Sequence, residues 1–248
     1  MDDVALVTGA AVRIGRAIST WLAANGWTVA IHYRDSEAQA YDLAAQINAA
    51  GGRAGCFSAD LSQEVDTGGL IERVARELGD VRCLVNNASV FESDDINTAS
   101  WESWAHHFGI NLRAPFVLTQ SFSKHLPDTG TGNVINILDQ RVWNLTPYFM
   151  SYTLTKSALW TLTQTSAMAL APRIRVNAIG PGPTLPSPRQ SDDEFRRQAK
   201  STLLQRAVDL EDIARAVAFI LETPSLTGQM VALDSGQHLV IRAPSTRQ

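Results

Sequence analysis

The sequence predicts an α/β fold, a doubly wound parallel sheet of seven strands with helices on both faces, and three observations predict it. Short β-branched runs alternate along the chain with longer amphipathic stretches, which is the rhythm of βαβ units. A glycine turn follows the first run and opens the first amphipathic stretch. The composition, 248 residues with 45% hydrophobic and 19% charged, lets the chain bury a sizeable core without metals or disulfides and excludes collagen, coiled coil and disorder. At this length a single domain spanning residues 1–248 is expected.

The first run, Val4-Ala5-Leu6-Val7, predicts a strand over residues 4–8, and further runs predict strands at 28–33, 53–58, 83–86, 133–138, 174–179 and 229–233. Helices are expected between them at 14–25, 37–50, 63–78, 101–122, 152–171 and 210–221. Several stop at a residue that ends helices, such as Gly26, Gly51, Gly79 and Pro172. Right-handed crossovers turn this order into a doubly wound sheet. Residues 180–200 break the rhythm: Pro181, Pro183, Pro186 and Pro188 precede the charged stretch from Asp192 to Arg197. So long a loop in a compact domain reads as a lid over the strand ends, or as a solvated linker.

Twenty-one basic against 25 acidic residues give a net charge of −4, which supplies no broad surface for nucleic acid or anionic lipid. An anionic small ligand would need a local basic site. The start carries Asp2 and Asp3 rather than basic residues, and no apolar run reaches membrane-spanning length, so a soluble cytoplasmic protein is expected. Cys56 and Cys83 show no paired Cys or His spacing, so buried thiols are expected, with no disulfide and no metal.

The turn Thr8-Gly9-Ala10-Ala11-Val12-Arg13-Ile14-Gly15 lets backbone amides approach a pyrophosphate at a helix start. Alone it is weak, because Gly9 and Gly15 can equally serve strand–helix contact. It is joined by Asp60-Leu61 after the third strand, Asn86-Asn87-Ala88-Ser89 after the fourth, Asn111, the pair Tyr152 and Lys156, and Asn177 leading to Pro181-Gly182 and Thr184. In this order the pieces resemble the short-chain dehydrogenase/reductase family over essentially the whole chain. The resemblance implies a Rossmann-type domain, NAD(H) or NADP(H), hydride transfer, and a homodimer or homotetramer. It also implies a cofactor-binding part at about 1–140 and a substrate loop at about 180–205.

Two departures narrow the subgroup. Arg13 stands where most members have glycine, and Asp139 stands 13 residues before Tyr152 where most have serine. Both are similar to pteridine reductases and dihydromonapterin reductases, which also carry an aromatic residue two positions after the Asn-Ala-Ser motif, here Phe91. The resemblance implies that Asn111, Asp139, Tyr152 and Lys156 are catalytic. It places Thr8, Gly9, Arg13, Ile14, Gly15, His32, Tyr33, Arg34, Ser36, Asp60 and Leu61 on the cofactor. Asn87, Ala88, Ser89, Tyr152, Lys156, Pro181 and Gly182 join them, while Arg13, Ser89, Phe91, Asp139 and Tyr152 meet the substrate.

Residue chemistry stands beside these assignments. Tyr152 and Lys156, four apart, share one helix face; an ammonium there would draw a phenol down from its usual pKa of about 10. In the family that lysine also binds the nicotinamide ribose, and Asn111 holds a water linking Lys156 to solvent. Asp139 should emerge at the C-terminal end of a strand, where desolvation raises a carboxyl pKa and lets it donate a proton. Arg34 and Ser36, after the second strand, suit a 2′-phosphate and favour NADPH over NAD, although Asp35 would repel that phosphate if turned inward. His106 and His107 read as solvent or packing residues. Trp143 and Tyr148 suit either the substrate pocket or a cap over the core. Leu112, Phe116, Leu159 and Leu162 can bury against a partner subunit or the sheet, and the tail after Gln237 can be disordered or reach a neighbour.

The leading expectation is an NADPH-dependent reductase of a C=N bond in a dihydropterin or related pteridine. A carbonyl reductase or alcohol dehydrogenase of the same family is the alternative. A catalytically inactive dinucleotide-binding regulatory protein is a third, which the joint presence of Asn111, Tyr152 and Lys156 argues against.

Overall fold

Strands β1 (Val4–Val7), β2 (Thr28–Tyr33), β3 (Arg53–Ser58), β4 (Val81–Asn86), β5 (Gly132–Ile137), β6 (Ile174–Pro181) and β7 (Met230–Leu233) form one parallel sheet in the order 3-2-1-4-5-6-7. The computed structural model describes residues 3–187 and 190–240. Around the sheet lie α1 (Arg13–Ala24), α2 (Glu37–Ala49), α3 (Glu64–Leu78), α4 (Trp101–Phe108), α5 (Ala114–His125), α6 (Met150–Leu170), α7 (Asp192–Lys200) and α8 (Leu210–Glu222).

The two-residue repeat of a strand explains the layers. In β1, Ala5 and Val7 join one buried cluster with Ile18 and Leu22 of α1, Leu43 of α2 and Val217 of α8. Val4 and Leu6 face the opposite cluster, with Leu70 and Val74 of α3 and Leu118 and Phe122 of α5. Full burial of each large apolar side chain contributes about 1.5–3 kcal/mol. From β1 the chain winds outward to β2 and β3, then returns to place β4 on β1's other side. The strand order reverses there, and in open α/β sheets the crevice at such a point receives ligands.

Three elements differ from the sequence expectation. The helix expected at 101–122 is α4 and α5 separated by a π-helical turn, Gly109–Arg113, in which the Ala114 N–H reaches back to Gly109 O. Pro115, without an N–H, interrupts the α-helical ladder just there. The 180–200 segment contains α7, started by a capping box between Ser191 and Glu194. Helix α6 begins at Met150 rather than Tyr152, after Phe149 in the left-handed conformation (φ 56°). No helix among the described residues is long and apolar enough to cross a membrane. Pro188 and the tail from residue 241 lie outside the described residues.

Candidate active site

A cleft of about 1150 Å³ opens at the C-terminal ends of the strands, between the β1 turn, the ends of β4 and β5, the start of α6 and the segment carrying α7. A pocket for one small molecule measures about 300–1000 Å³, so this one lies just above that range.

The β1 turn is built by mutual hydrogen bonding. Thr8 Oγ1 accepts from the N–H groups of Asn87 (2.9 Å) and Ala88 (3.0 Å), and Asn87 Nδ2 donates to Thr8 O (2.8 Å) and Gly9 O (3.1 Å). Gly9 has φ 60°, and a Cβ on Gly15 would come within 2.2 Å of Gly9 O, so both positions require glycine. Thr8 and Gly15 therefore shape the turn from behind, and neither is among the residues lining the cleft. Helix α1 has no side-chain cap and no acidic residue in its first turn. Its first N–H groups are left for an anion, and this donor set fits a dinucleotide pyrophosphate.

His32 lines the cleft and is held from behind it. Its Nδ1 accepts from Gly9 N (3.0 Å) and its Nε2 faces Ala59 O (3.1 Å), which fixes a neutral ring with the proton on Nε2. Burial holds its pKa down to about 4. The ring braces the turn and has no donor left for a phosphate. Tyr33 is buried beneath, its hydroxyl donating to Glu37. Arg34 pairs with Asp35 (2.6 Å), both largely exposed and both on the cleft lining, so the Asp35 carboxylate there is partnered by the cationic group. The Ser36 hydroxyl makes no capping bond to α2 and is free for a ligand. The Ser62 N–H holds the Asp60 carboxyl below its ordinary pKa, and Leu61 is buried beside it.

Arg13 reaches the opposite wall. Its guanidinium donates to Pro186 O (3.0 Å) and Leu185 O (3.3 Å), tying the turn to the substrate loop. Pro181, Gly182 and Thr184 line the same wall.

At the centre, Tyr152 OH donates to Asp139 Oδ2 (3.0 Å), while Asp139 Oδ1 accepts from Arg141 N (2.8 Å). Lys156, buried, donates to Ile137 O (2.8 Å), with its Nζ 5.6 Å from the Tyr152 ring centroid. Burial raises the Asp139 pKa, against the opposing pull of the Arg141 N–H. Burial, followed by the Asp139 charge, pushes Tyr152 well above 10, and burial brings Lys156 down to about 8. The expected lowering of the phenol by Lys156 is thus reversed in this arrangement. Desolvation of the phenolate, joined by a carboxylate at hydrogen-bonding distance, outweighs an ammonium lying over the ring. The coupled groups can hold and release one proton beside the cleft.

Phe91 stacks on Phe149 (centroids 4.3 Å, interplanar 6°) and meets the Tyr152 ring edge to face (4.7 Å, 77°). The Arg141 guanidinium lies 4.8 Å from the Phe149 centroid and 5.7 Å from that of Phe91. A ligand ring can therefore use only the Phe91 face that Phe149 leaves open. Arg141, Phe149 and Gln140 line the cleft beside Phe195 and Gln198 of α7, and sequence reasoning missed all five. The adjacency of Gln140 and Arg141 to Asp139 was a usable signal, and the Ser191 to Glu194 spacing marked α7.

Asn111 is saturated. Its Oδ1 accepts from Val90 N (2.8 Å) and Ser89 Oγ (3.2 Å), and its Nδ2 donates to Val90 O (2.9 Å) and Thr155 Oγ1 (3.3 Å). Its side chain positions the Ser89 segment and makes no direct hydrogen bond to Lys156, which donates to Ile137 O instead. Trp143 meets the His238 ring (5.2 Å) and Tyr148 is exposed; neither lines the cleft. His106 lies on the rim, 3.7 Å from Glu92, whereas His107 is fully buried. Both cysteines are free, with burial pushing Cys83 up to about 12. Among the described residues no group of three or more potential metal ligands exists.

The family model described as enoyl-(acyl carrier protein) reductase matches residues 9–238. An uncharacterized oxidoreductase from Methylorubrum extorquens is 34% identical over 241 residues, spanning 94% of this chain and 96% of the relative. Pteridine reductase 1 from Leishmania tarentolae is 31% identical over 284 residues, spanning 95% and 96%. The crystal structure of FolM alternative dihydrofolate reductase 1 from Brucella canis, complexed with NADP, matches with a TM-score of 0.95 and 48% identity, covering 98% of this chain and 97% of that one.

Proposed function

The chain belongs to the short-chain dehydrogenase/reductase family, and from that premise we propose that it is an NADPH-dependent reductase of a C=N bond in a dihydropterin or related pteridine, dihydrofolate included. The observation that carries this reading is the part-buried Asp139–Tyr152 hydrogen bond, with a carboxyl where a ketone reductase would place a serine hydroxyl. A carboxyl whose pKa is raised can both accept a proton from a ring N–H and donate one to a ring nitrogen. NADPH, when bound, supplies the hydride. Asp139 and Tyr152 deliver the accompanying proton, and the Lys156 charge stabilises the anion they leave behind.

The α1 N-terminus with Gly9, Ile14, Ala88 and Ser89 would hold the pyrophosphate end, and Asp60 and Leu61 the adenine end. Arg34 and Ser36 would hold the 2′-phosphate, and Lys156, Pro181 and Gly182 the nicotinamide end. Phe91 would carry the pteridine on its open face, beside Ser89 and Arg13. The unit is one domain whose lid, at about 180–205, includes α7.

A dimeric or tetrameric cytoplasmic enzyme belongs to the same proposal. Leu112, Phe116 and Leu162 border an apolar groove of about 660 Å³ between α4, α5 and α6, whereas Leu159 lies in the core. The test is a panel of dihydropterins, dihydrofolate and simple ketones followed by NADPH absorbance, then repeated with NADH. Dihydropteridine turnover with a higher kcat/KM for NADPH is expected. Turnover of ketones alone, or a preference for NADH, overturns the respective part.

A further inference from the structure

Three buried side chains from three separate segments meet behind the Phe91–Tyr152 contact. Asp94 lies in the loop between β4 and α4, His107 on α4 and Ser151 in the first turn of α6; His107 and Ser151 are completely buried and Asp94 is 5% exposed. Asp94 caps α6 from outside, since the helix has no side-chain cap of its own. Its carbonyl accepts from Phe149 N (2.7 Å) and Met150 N (3.4 Å). Its Oδ1 accepts from Ser151 N (3.1 Å), and its Oδ2 accepts from the Ser151 hydroxyl.

On the other side of Ser151, His107 Nδ1 lies 2.7 Å from Oγ, and His107 Nε2 lies 3.1 Å from Glu92 N. A backbone N–H only donates, so Nε2 is the acceptor and the neutral ring carries its proton on Nδ1. Donation then runs in one direction, from His107 to Ser151 to Asp94, with every polar atom along it partnered.

We infer that Asp94, His107 and Ser151 are positioning residues, a clasp that fixes the loop bearing Phe91 against the helix start bearing Tyr152. Glu92, bound by His107, adjoins Phe91; Ser151 adjoins Tyr152; and Phe149, bound by Asp94, stacks on Phe91. None of the three clasp residues lines the cleft, so they act through those neighbours. The clasp sets the offset between the ring platform and the proton donor, and a misplacement of about 1 Å costs on the order of 100-fold in rate. The consequence for a pteridine rests on the proposed function; the clasp itself does not.

The test compares Ser151→Ala, His107→Asn and the double variant with wild type. Each is assayed for kcat and KM with a dihydropterin and with a simple ketone, for NADPH affinity by fluorescence, and for amide exchange across residues 89–96 and 149–153. The expected result is a loss of about 10–100-fold in dihydropterin kcat/KM, with a raised KM, unchanged NADPH affinity, and faster exchange in both segments. The double variant should lose no more than the larger single loss, as parts of one unit do. Additive losses, or a folded Ser151→Ala protein with wild-type kinetics and exchange, overturn the inference. If Ser151→Ala does not fold, His107→Asn gives the same readings. If wild type reduces only ketones, the pteridine reading falls, while ketone kcat and the exchange rates still decide the clasp.

Discussion

Asp139 and His32 show how burial assigns opposite tasks to two titratable side chains in one cleft. Desolvation makes the Asp139 carboxyl easier to protonate, which serves a proton donor. Asp139→Asn should lower kcat/KM for a dihydropterin by roughly 100-fold or more, since an amide cannot yield the proton. The wild-type rate should fall as pH rises through the Asp139 pKa, and the variant should flatten that fall; steady-state kinetics across pH checks both. Desolvation makes His32 harder to protonate, which serves the turn. With a folded pKa of about 4 against 6.5, its neutral form stabilises the native state fully above pH 6.5. That stability is lost as pH falls from 6.5 through 4, and it amounts to roughly 3 kcal/mol. Urea denaturation should show a smaller acid-side loss in His32→Gln, which cannot ionise. The sequence showed the types and spacing of Asp139, Tyr152 and Lys156 because one strand end and one helix face bring them together. It did not show that His32 turns inward, because that depends on Gly9 and Ala59 approaching from two other segments.

At the scale of elements, the sheet was legible because β1, β2, β4, β5 and β6 are runs buried along almost their whole length and each crossover helix has buried apolar residues. Two of the three departures lie where local and tertiary signals compete. Helix α7 is strongly polar and follows four prolines, so its charge pattern reads as a loop, although Ser191 and Glu194 mark its start. The π turn depends on Pro115 interrupting an otherwise continuous helical pattern. Because α7 places Phe195 and Gln198 on the cleft, its stability should matter to the site. Ser191→Ala should weaken the helix start by about 1 kcal/mol. The expected readouts are faster amide exchange over residues 192–200 and a severalfold rise in substrate KM, with kcat little changed.

For the whole molecule, the net charge of −4 conceals cationic groups gathered at one end of the sheet: Arg13, Arg34, Arg141 and Lys156 all border the cleft. On the outer face of α5, Phe116 is 45% exposed beside the groove formed with Leu112 and Leu162. In the proposed oligomer, Phe116→Glu should shift the protein toward the monomer, as light scattering after size exclusion would show; an unchanged mass would remove this groove from the proposal. Arg13 returns as a question of trade-off. Its backbone has φ 54°, a conformation that costs a non-glycine residue on the order of 1–3 kcal/mol. Arg13→Gly should therefore give a protein that melts at higher temperature and works less well, because the carbonyls of Leu185 and Pro186 lose their guanidinium. Selection at this one position would then be acting for activity and against thermal endurance.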